Sequence, residues 1–591
     1  MSASSISNGG YVRIPFTPTI YYRQQLCATE LTMMQWIINN EIRLNFRIRI
    51  IFEQDLKYFD LKTIKQLLTL FILIVSFNTN GQEIPKKFQN PIISGFAPDP
   101  SICRVNDDYY IVTSSFTWFP GIPIYRSKDL INWELIGHGI TRPEQINLNN
   151  IEDKYGIWAP TIRYHEGLFY IITTCKSCGE NFYITASNPS GEWSNPIWLK
   201  NAKGIDPSLF WDDDGRCYYT GNYWDFKKSW SGQCAIWGQE LDLKQQNLIG
   251  EVKILSYGHA NNARYTEAPH LYKINNRYLL LTAEGGTSEN HAVTSHHSAN
   301  VLGTYTSDQN NPVLTHRHLG NDYPIQAVGH ADLVQTQNGD WWAVVLGKRF
   351  IDGETPLSRE TFLCKIDMEN GTPIFNSSHG KVLLEQERPD LPWTPILKEP
   401  FKDEFDKDKL ANKWHTIKTP FDEFYSIQNG QLELKLKPQT IDSLSHFSTL
   451  IQPIKHNIFS ATTKLSFSTK KNNEQVGIVL YRNNMSYYLL TKKKNRILLI
   501  KKDNGKKEVI TDLSYDKNEV YLGVEVNGLD IQFRFGETLS TMSDIGETQS
   551  LKIISDSDVN KFNGTGVGIY ASSNGQKSKN TAICDWFEYK Y

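Results

Sequence analysis

The sequence predicts an all-β fold, a five-bladed β-propeller followed by a β-sandwich, and three observations predict it. A short pattern recurs five times, the texture then changes to alternating strands without the repeat, and aromatic residues are abundant, with 15 Trp, 29 Tyr and 28 Phe. Such a composition suits many short strands better than a helical bundle. The copies read DPSICRVNDDYYIVTSS from Asp99, APTIRYHEGLFYIITTC from Ala159, DPSLFWDDDGRCYYTGNY from Asp206, EAPHLYKINNRYLLLTAE from Glu267 and HADLVQTQNGDWWAVVLG from His330. Aligned on their first apolar residue (Ile102, Ile162, Leu209, Leu271, Leu333) they are 60, 47, 62 and 62 residues apart, room for one four-stranded blade each.

The same alignment locates candidate chemistry. Three places before each anchor stand Asp99, Ala159, Asp206, Ala268 and His330, with Glu267 one step further back. In a propeller the innermost strands line the central channel, so equivalent positions converge on the axis. Three acids and a histidine are therefore expected in one cavity. Several like charges are costly to bury unless their pKa values separate or a cation joins them, so the cluster points to function.

The propeller is expected over residues 88–390, with turns such as Asp213-Asp214-Gly215 and Asn338-Gly339-Asp340 separating its strands. A proline-rich join, Arg388 to Pro395, follows. From residue 401 to 591 alternating segments dominate (Leu432–Leu436, Val476–Tyr481, Tyr487–Thr491, Ile497–Ile500, Val520–Val526), which reads as a sandwich. Upstream, the apolar run Leu67–Phe77, preceded by Lys62 and Lys65, has the layout of a secretory signal peptide over residues 61–81 and is too short to span a bilayer. The mature protein is expected to be secreted or periplasmic, to start near Gln82 on N-terminal sequencing, and to carry no membrane span. Residues 1–60 lack the pattern and read as an extension absent from the mature protein, initiation lying near Leu61.

A net charge of −2 provides no basic field for nucleic acid or anionic lipid. Seven cysteines follow the signal, an odd and widely spaced set that is no disulfide framework. Cys175-Lys-Ser-Cys178 has redox or zinc spacing, but it ends a strand and no second pair follows, so neither role is expected. His296 and His297 are adjacent on a strand and face opposite sides, which excludes a shared ligand role.

The segments NPIISGFAPDPSICR, WAP at Trp158–Pro160, GIDPSLF, YTEAPHLY, GHADLV and SRET at Ser358–Thr361, in this order, resemble the blade motifs of glycoside hydrolase family 43. The likeness is closest to its β-xylosidase and α-L-arabinofuranosidase members, and the tail resembles the concanavalin-like jelly-roll sandwich often fused to them. By motif, the resemblance implies Asp99 as general base, Glu267 as general acid and Asp206 as modulator of pKa and orientation. It implies a pentose-containing substrate, a xylo- or arabino-oligosaccharide, and no required cofactor. Inversion needs a carboxylate that activates water and a protonated acid across the scissile bond, roughly 6.5–9.5 Å apart, as blades one and four allow. Asp206 is expected to raise the pKa of Glu267.

Other readings stay open at this point. An Asp before Pro also caps turns. His330 is a candidate substrate ligand or calcium ligand on the axis, or a partner of a buried carboxylate. Arg359 suits a sugar hydroxyl or the catalytic base, with a surface salt bridge as the alternative. Trp158 and Phe116 are candidate sugar platforms, and Trp118 and Phe119 lie close by in sequence. Asp403, Glu404 and Asp585 could hold a structural calcium. The sandwich could bind xylan separately or send a loop over the propeller mouth, as the resemblance favours. The leading expectation is release of terminal β-1,4-xylose, with an α-L-arabinofuranosidase as alternative and a non-catalytic carbohydrate-binding propeller as the more distant one. An endo-acting arabinanase is disfavoured by the added sandwich, and a retaining fructosidase by the lack of sucrose-site motifs.

Overall fold

The computed structural model describes residues 84–320, 322–397, 402–556 and 562–591. The extension (1–60) and the signal segment (61–81) read from the sequence lie outside them. Among the described residues the regular structure is strands, with two short 3-10 turns at Leu539–Thr541 and Leu551–Ile554.

Five antiparallel sheets follow one another, opening on Ser101–Val105, Gly156–His165, Ser208–Trp211, Glu267–Ile274 and Ile325–Gln335. Four have four strands, and the fourth sheet carries a fifth, Leu314–Thr315. Their first strands neighbour one another in a closed ring, the fifth returning to the first. The hairpins turn where the sequence supplies left-handed residues, Asn106, Gly167, Gly215, Asn275-Asn276 and Gly339. All five apolar anchors are buried between blades. Strand Lys87–Gln89 pairs with Glu385–Glu387 and so joins the start of the propeller to its end.

The C-terminal part is two packed sheets of nine and six strands. Ile458–Ser466 buries every second residue, as expected of a strand with one face on the core. Gln475–Asn483 is buried throughout, because its second face packs on the propeller. Val479 and Tyr481 there share an apolar cluster with Phe96, Phe116 and Trp118 of the propeller. This explains why Trp118 and Phe119 do not reach the channel: they pair with Thr416–Ile417 and cover the joint between domains. A buried ion pair crosses the same joint, Lys418 Nζ lying 2.7 Å from Asp153 Oδ1. The other Asp153 oxygen accepts from the Tyr481 hydroxyl at 2.7 Å and from Asn484 N at 3.0 Å.

Cys175 and Cys178 are joined as a disulfide, which corrects the expectation of an uncommitted pair; the other five described cysteines are free and buried. His296 and His297 face opposite sides as expected, His296 toward Thr282 and Ser307 and His297 toward Thr372 and Asp308.

Candidate active site

The five register positions share one unusual conformation. Asp99, Ala159, Asp206, Ala268 and His330 have φ of 55°, 42°, 53°, 51° and 44°. A left-handed residue with a side chain costs about 1–2 kcal/mol, and the same cost recurs at the same place in all five blades. The ladder shifts register there in the second, fourth and fifth blades. The twist turns the register residue toward the hub and can turn the one before it as well. Trp158, Ile205 and Glu267, each one step ahead of the register, reach the cavity this way. That is why the acid of the fourth blade is Glu267 rather than its neighbour Ala268.

The cavity at the hub has a volume of about 390 Å³, near the small end of the roughly 300–1,000 Å³ typical of ligand sites. It brings together Asp99, Asp206, Glu267, His330, Arg359, Trp158 and Phe116. Ile205, Tyr265, the run Gly285 to Ser288, His291 and Phe562 complete its wall. Phe562 belongs to the sandwich, so the second domain closes part of the mouth. The Trp158 indole N–H donates to Lys154 O at 3.1 Å, which fixes its ring at the rim.

The three acids stand in different surroundings. Asp99 is buried, which by itself would raise its pKa, but Arg359, His330 and the Ser114 hydroxyl together outweigh burial and hold it below the ordinary value. Arg359 Nη1 donates to Asp99 Oδ1 at 2.9 Å and Ser114 Oγ to Oδ2 at 2.5 Å. Ser114 Oγ in turn accepts from Ala159 N at 2.6 Å, tying Asp99 to the second blade. Glu267 has no such cation. Burial first, then Asp206 and Asp99, push its pKa well above the ordinary value. Asp206 accepts from Ala268 N at 3.2 Å, yet burial and Asp99 raise it to about 7. The expectation of Asp206 as a standing negative charge is thereby refined: Asp206 and Glu267 titrate as a linked pair, with a proton held at the pair near neutrality.

Arg359 is buried against Phe116 and Phe562, its guanidinium 5.4 and 5.8 Å from their ring centres, which excludes the surface salt bridge. Its Nη2 donates to Phe562 O at 2.9 Å. His330 Nδ1 lies 3.9 Å from Asp99 Oδ1, and burial followed by Arg359 lowers its pKa.

Among the described residues no cage of protein carboxylates for calcium stands at either expected place. A calcium cage needs about six to eight oxygens, whereas the carboxylate beside His330 is committed to Arg359 and Ser114. Among the described residues no group of three or more His, Cys, Asp or Glu side chains is arranged to hold a metal ion. Asp403 accepts from the Trp414 indole, Glu404 pairs with Lys402 and Asp585 with Lys464, so these carboxylates are spent separately.

Sequence reasoning missed His291, Tyr265, the Gly285 to Ser288 turn and Phe562. His291 donates from Nδ1 to Ala327 O at 2.9 Å, and burial lowers its pKa to about 3. A side chain on Gly329 would collide with its ring, so the glycine of GHADLV exists to admit it. That pairing was the one available signal. Phe562 sits outside any repeat and carried none.

Two buried carboxyl groups of opposite protonation in one sugar-sized cavity define an acid–base glycoside hydrolase. Comparison with known proteins agrees and narrows the class. Residues 88–373 match the model of glycosyl hydrolases family 43, and residues 402–590 match the β-xylosidase C-terminal concanavalin A-like domain. A xylosidase/arabinosidase of Butyrivibrio fibrisolvens is 38% identical over 522 residues, covering 84% of this chain and 98% of that protein. A non-reducing end α-L-arabinofuranosidase of Bacteroides ovatus is 36% identical, covering 88% of this chain and 98% of that protein. The crystal structure of a xylan β-1,4-xylosidase from Bacillus halodurans superposes with a TM-score of 0.81 at 33% identity, over 85% of this chain and all of that one. The chain belongs to glycosyl hydrolases family 43.

Proposed function

We propose that the protein is an exported, inverting exo-glycosidase that releases terminal xylose from β-1,4-linked xylo-oligosaccharides, with no organic cofactor. The observation that carries this reading is the opposed protonation of Asp99 and Glu267 in a cavity whose mouth Phe562 narrows. Asp99, kept ionised by Arg359, takes a proton from a water molecule as its oxygen bonds to the anomeric carbon. The glycosidic C–O bond breaks at the same carbon, and the leaving oxygen receives the proton of Glu267. Exchange of one proton with solvent restores both groups. Asp206 holds Glu267 in its protonated form and orients it. The faces of Trp158 and Phe116 suit the apolar face of a pentose, and His330 on the same wall is available to its hydroxyls. The limited cavity volume favours a chain end over a chain interior, and the apolar run Leu67–Phe77 is the basis for export.

An α-L-arabinofuranosidase is the second reading, favoured by the likeness to the Bacteroides ovatus arabinofuranosidase. Paired nitrophenyl β-xyloside and α-L-arabinofuranoside assays separate the two. Asp99→Ala is expected to lose several orders of magnitude on either substrate. Glu267→Ala should lose about 10²–10⁴-fold on xylobiose and much less on a dinitrophenyl glycoside, whose leaving group needs no proton. Proton NMR should show the inverted anomer first. Near-full activity of Asp99→Ala on any substrate, near-full activity of Glu267→Ala on xylobiose, or a retained anomer would refute the mechanism.

A further inference from the structure

Behind the cavity three buried cations, Lys348, Arg359 and Arg482, meet two buried carboxylates, Asp99 from the propeller and Asp556 from the sandwich. Asp556 Oδ2 lies 3.1 Å from Lys348 Nζ and Oδ1 lies 3.3 Å from Arg482 Nη2. Arg482 is fully buried on the sandwich strand Gln475–Asn483. Its Nη1 donates to Ser358 Oγ at 2.7 Å and to Thr565 Oγ1 at 3.2 Å. Ser358 immediately precedes Arg359 and is itself held in a left-handed conformation, φ 68°. A direct line of contacts therefore runs from the sandwich carboxylate, through Arg482 and Ser358, to the backbone that presents Arg359 to the base.

A second line reaches the same guanidinium. Asp556 N donates to Thr355 O at 3.3 Å, and Thr355 N to Ser555 Oγ at 2.8 Å, pinning the sandwich segment to the loop that leads to Ser358. Asn563 donates from its side chain to Arg482 O, and its neighbour Phe562 supplies the carbonyl that receives Arg359 Nη2. Of these contacts only the one between Arg359 and Phe562 lies on the cavity wall. Burial lowers the pKa of Lys348 and brings that of Arg482 to about 10, and each is further lowered by its neighbouring cations, as expected of charges that depend on Asp556 for compensation.

We propose that Asp556, on the sandwich, is a positioning residue for hydrolysis on the propeller: through Arg482 and Ser358 it sets the backbone that holds Arg359 against Asp99. Without the Asp556 charge, two buried cations lose the carboxylate they face, beside an Arg359 already committed to Asp99. The arrangement that keeps the base ionised then has no fixed geometry. The role rests on the acid–base reading above, in which Asp99 must face water with its charge intact.

The test compares Asp556→Asn, Asp556→Glu and the double variant Lys348→Met/Asp556→Asn with the parent enzyme on a nitrophenyl pentoside. Asp556→Asn is expected to lower kcat about 10–100-fold with KM changed less than about threefold, the signature of an interaction needed in the transition state. Asp556→Glu, which retains the charge, should stay within about fivefold of the parent, and the double variant, which restores charge balance, should regain most of the loss. A crystal structure of Asp556→Asn should show Arg359 Nη1 displaced from its 2.9 Å contact with Asp99. An Asp556→Asn kcat within twofold of the parent, or an unmoved Arg359, would overturn the proposal. So would losses in the Glu and double variants as large as that of Asp556→Asn, because shape rather than charge would then be at stake. If Asp556→Asn does not fold, the Glu and double variants decide alone: activity within about tenfold of the parent in both supports the proposal and a loss above a hundredfold in both overturns it. A parent enzyme inert on every pentoside would instead refute the functional reading, while the displacement of Arg359 would still be read in the crystal.

Discussion

Replacing Arg359 by methionine removes one charge and keeps most of the bulk that packs against Phe116 and Phe562. The bond at stake is the 2.9 Å contact to Asp99 Oδ1, charge-assisted and buried. Such bonds contribute about 1.5–3 kcal/mol, and at about 1.4 kcal/mol per pKa unit this corresponds to a rise of about 1–2 units for the Asp99 carboxyl. The sign follows from the role. The base must be ionised to accept a proton from water, so the acid limb of kcat/KM should move up by about 1–2 pH units. Ser114 stays in place and retains part of the depression, while His330, lowered by burial, cannot replace the lost charge. Asp206 and Glu267 also feel Arg359 as a lowering influence, so the alkaline limb should move in the same direction by a smaller amount. The assay is kcat/KM on a nitrophenyl pentoside across the pH range at constant ionic strength. An acid limb that stays put, or moves down, would refute the assignment of Arg359 as the group that keeps Asp99 ionised, whatever the absolute loss of rate.

Two further outcomes concern stability. Lys418→Met leaves Asp153 buried without its cation, while Tyr481 and Asn484 still donate to it; the expected cost is about 3–5 kcal/mol in urea unfolding, and a loss below about 1 kcal/mol would show that the pair adds nothing to the joint. Six buried histidines, His270, His291, His296, His316, His415 and His446, are held neutral by burial with pKa values of about 3 to 4. Their unfolded counterparts take up protons near pH 6.5, so their stabilisation is complete above that pH and is lost as pH falls toward the folded values. Glu267 and Asp206 act in the opposite sense, because their folded pKa values are raised. The histidines outnumber the two raised acids, so stability should fall as pH drops from about 6 toward 4.5. A melting temperature that does not fall across that interval would mean the histidines are not held neutral in the fold.

The clustered carboxylates were legible because a propeller repeats its geometry. Counting back from five apolar anchors located Asp99, Asp206 and His330 at equivalent places, and the structure adds the cause, a left-handed twist at each position. The offset of Glu267 looked irregular in the sequence, and the twist at Ala268 makes it the counterpart of Trp158 at Ala159. Aromatic side chains were harder to read, since rings near a mouth serve equally well as sugar platforms or as cover for a neighbouring domain. Phe116 lies on the cavity wall and Trp118, two residues on, lies under Ile417. Carboxylates near one another in sequence, such as Asp403 and Glu404, can likewise serve different partners in the fold. Phe562 and Asp556 had no signal, because they come from a sandwich connection with no register to count from.

The missed residues explain why the sandwich is there. A ring of blades leaves its hub open at the mouth, and acids exposed to bulk water relax toward ordinary pKa values. The separation between an ionised Asp99 and a protonated Glu267 needs burial and a fixed cation together. The propeller supplies the acids, but the cation is held from both sides, by Asp99 at one nitrogen and by the Phe562 carbonyl at another. Through Arg482, the sandwich also grips the serine that precedes Arg359. The fully buried strand Gln475–Asn483 is then as much a part of the active site as the blades, since Tyr481 and Arg482 lock onto Asp153 and Ser358 on the other domain. An accessory domain that merely bound substrate would have no reason to bury an arginine against the serine that precedes Arg359.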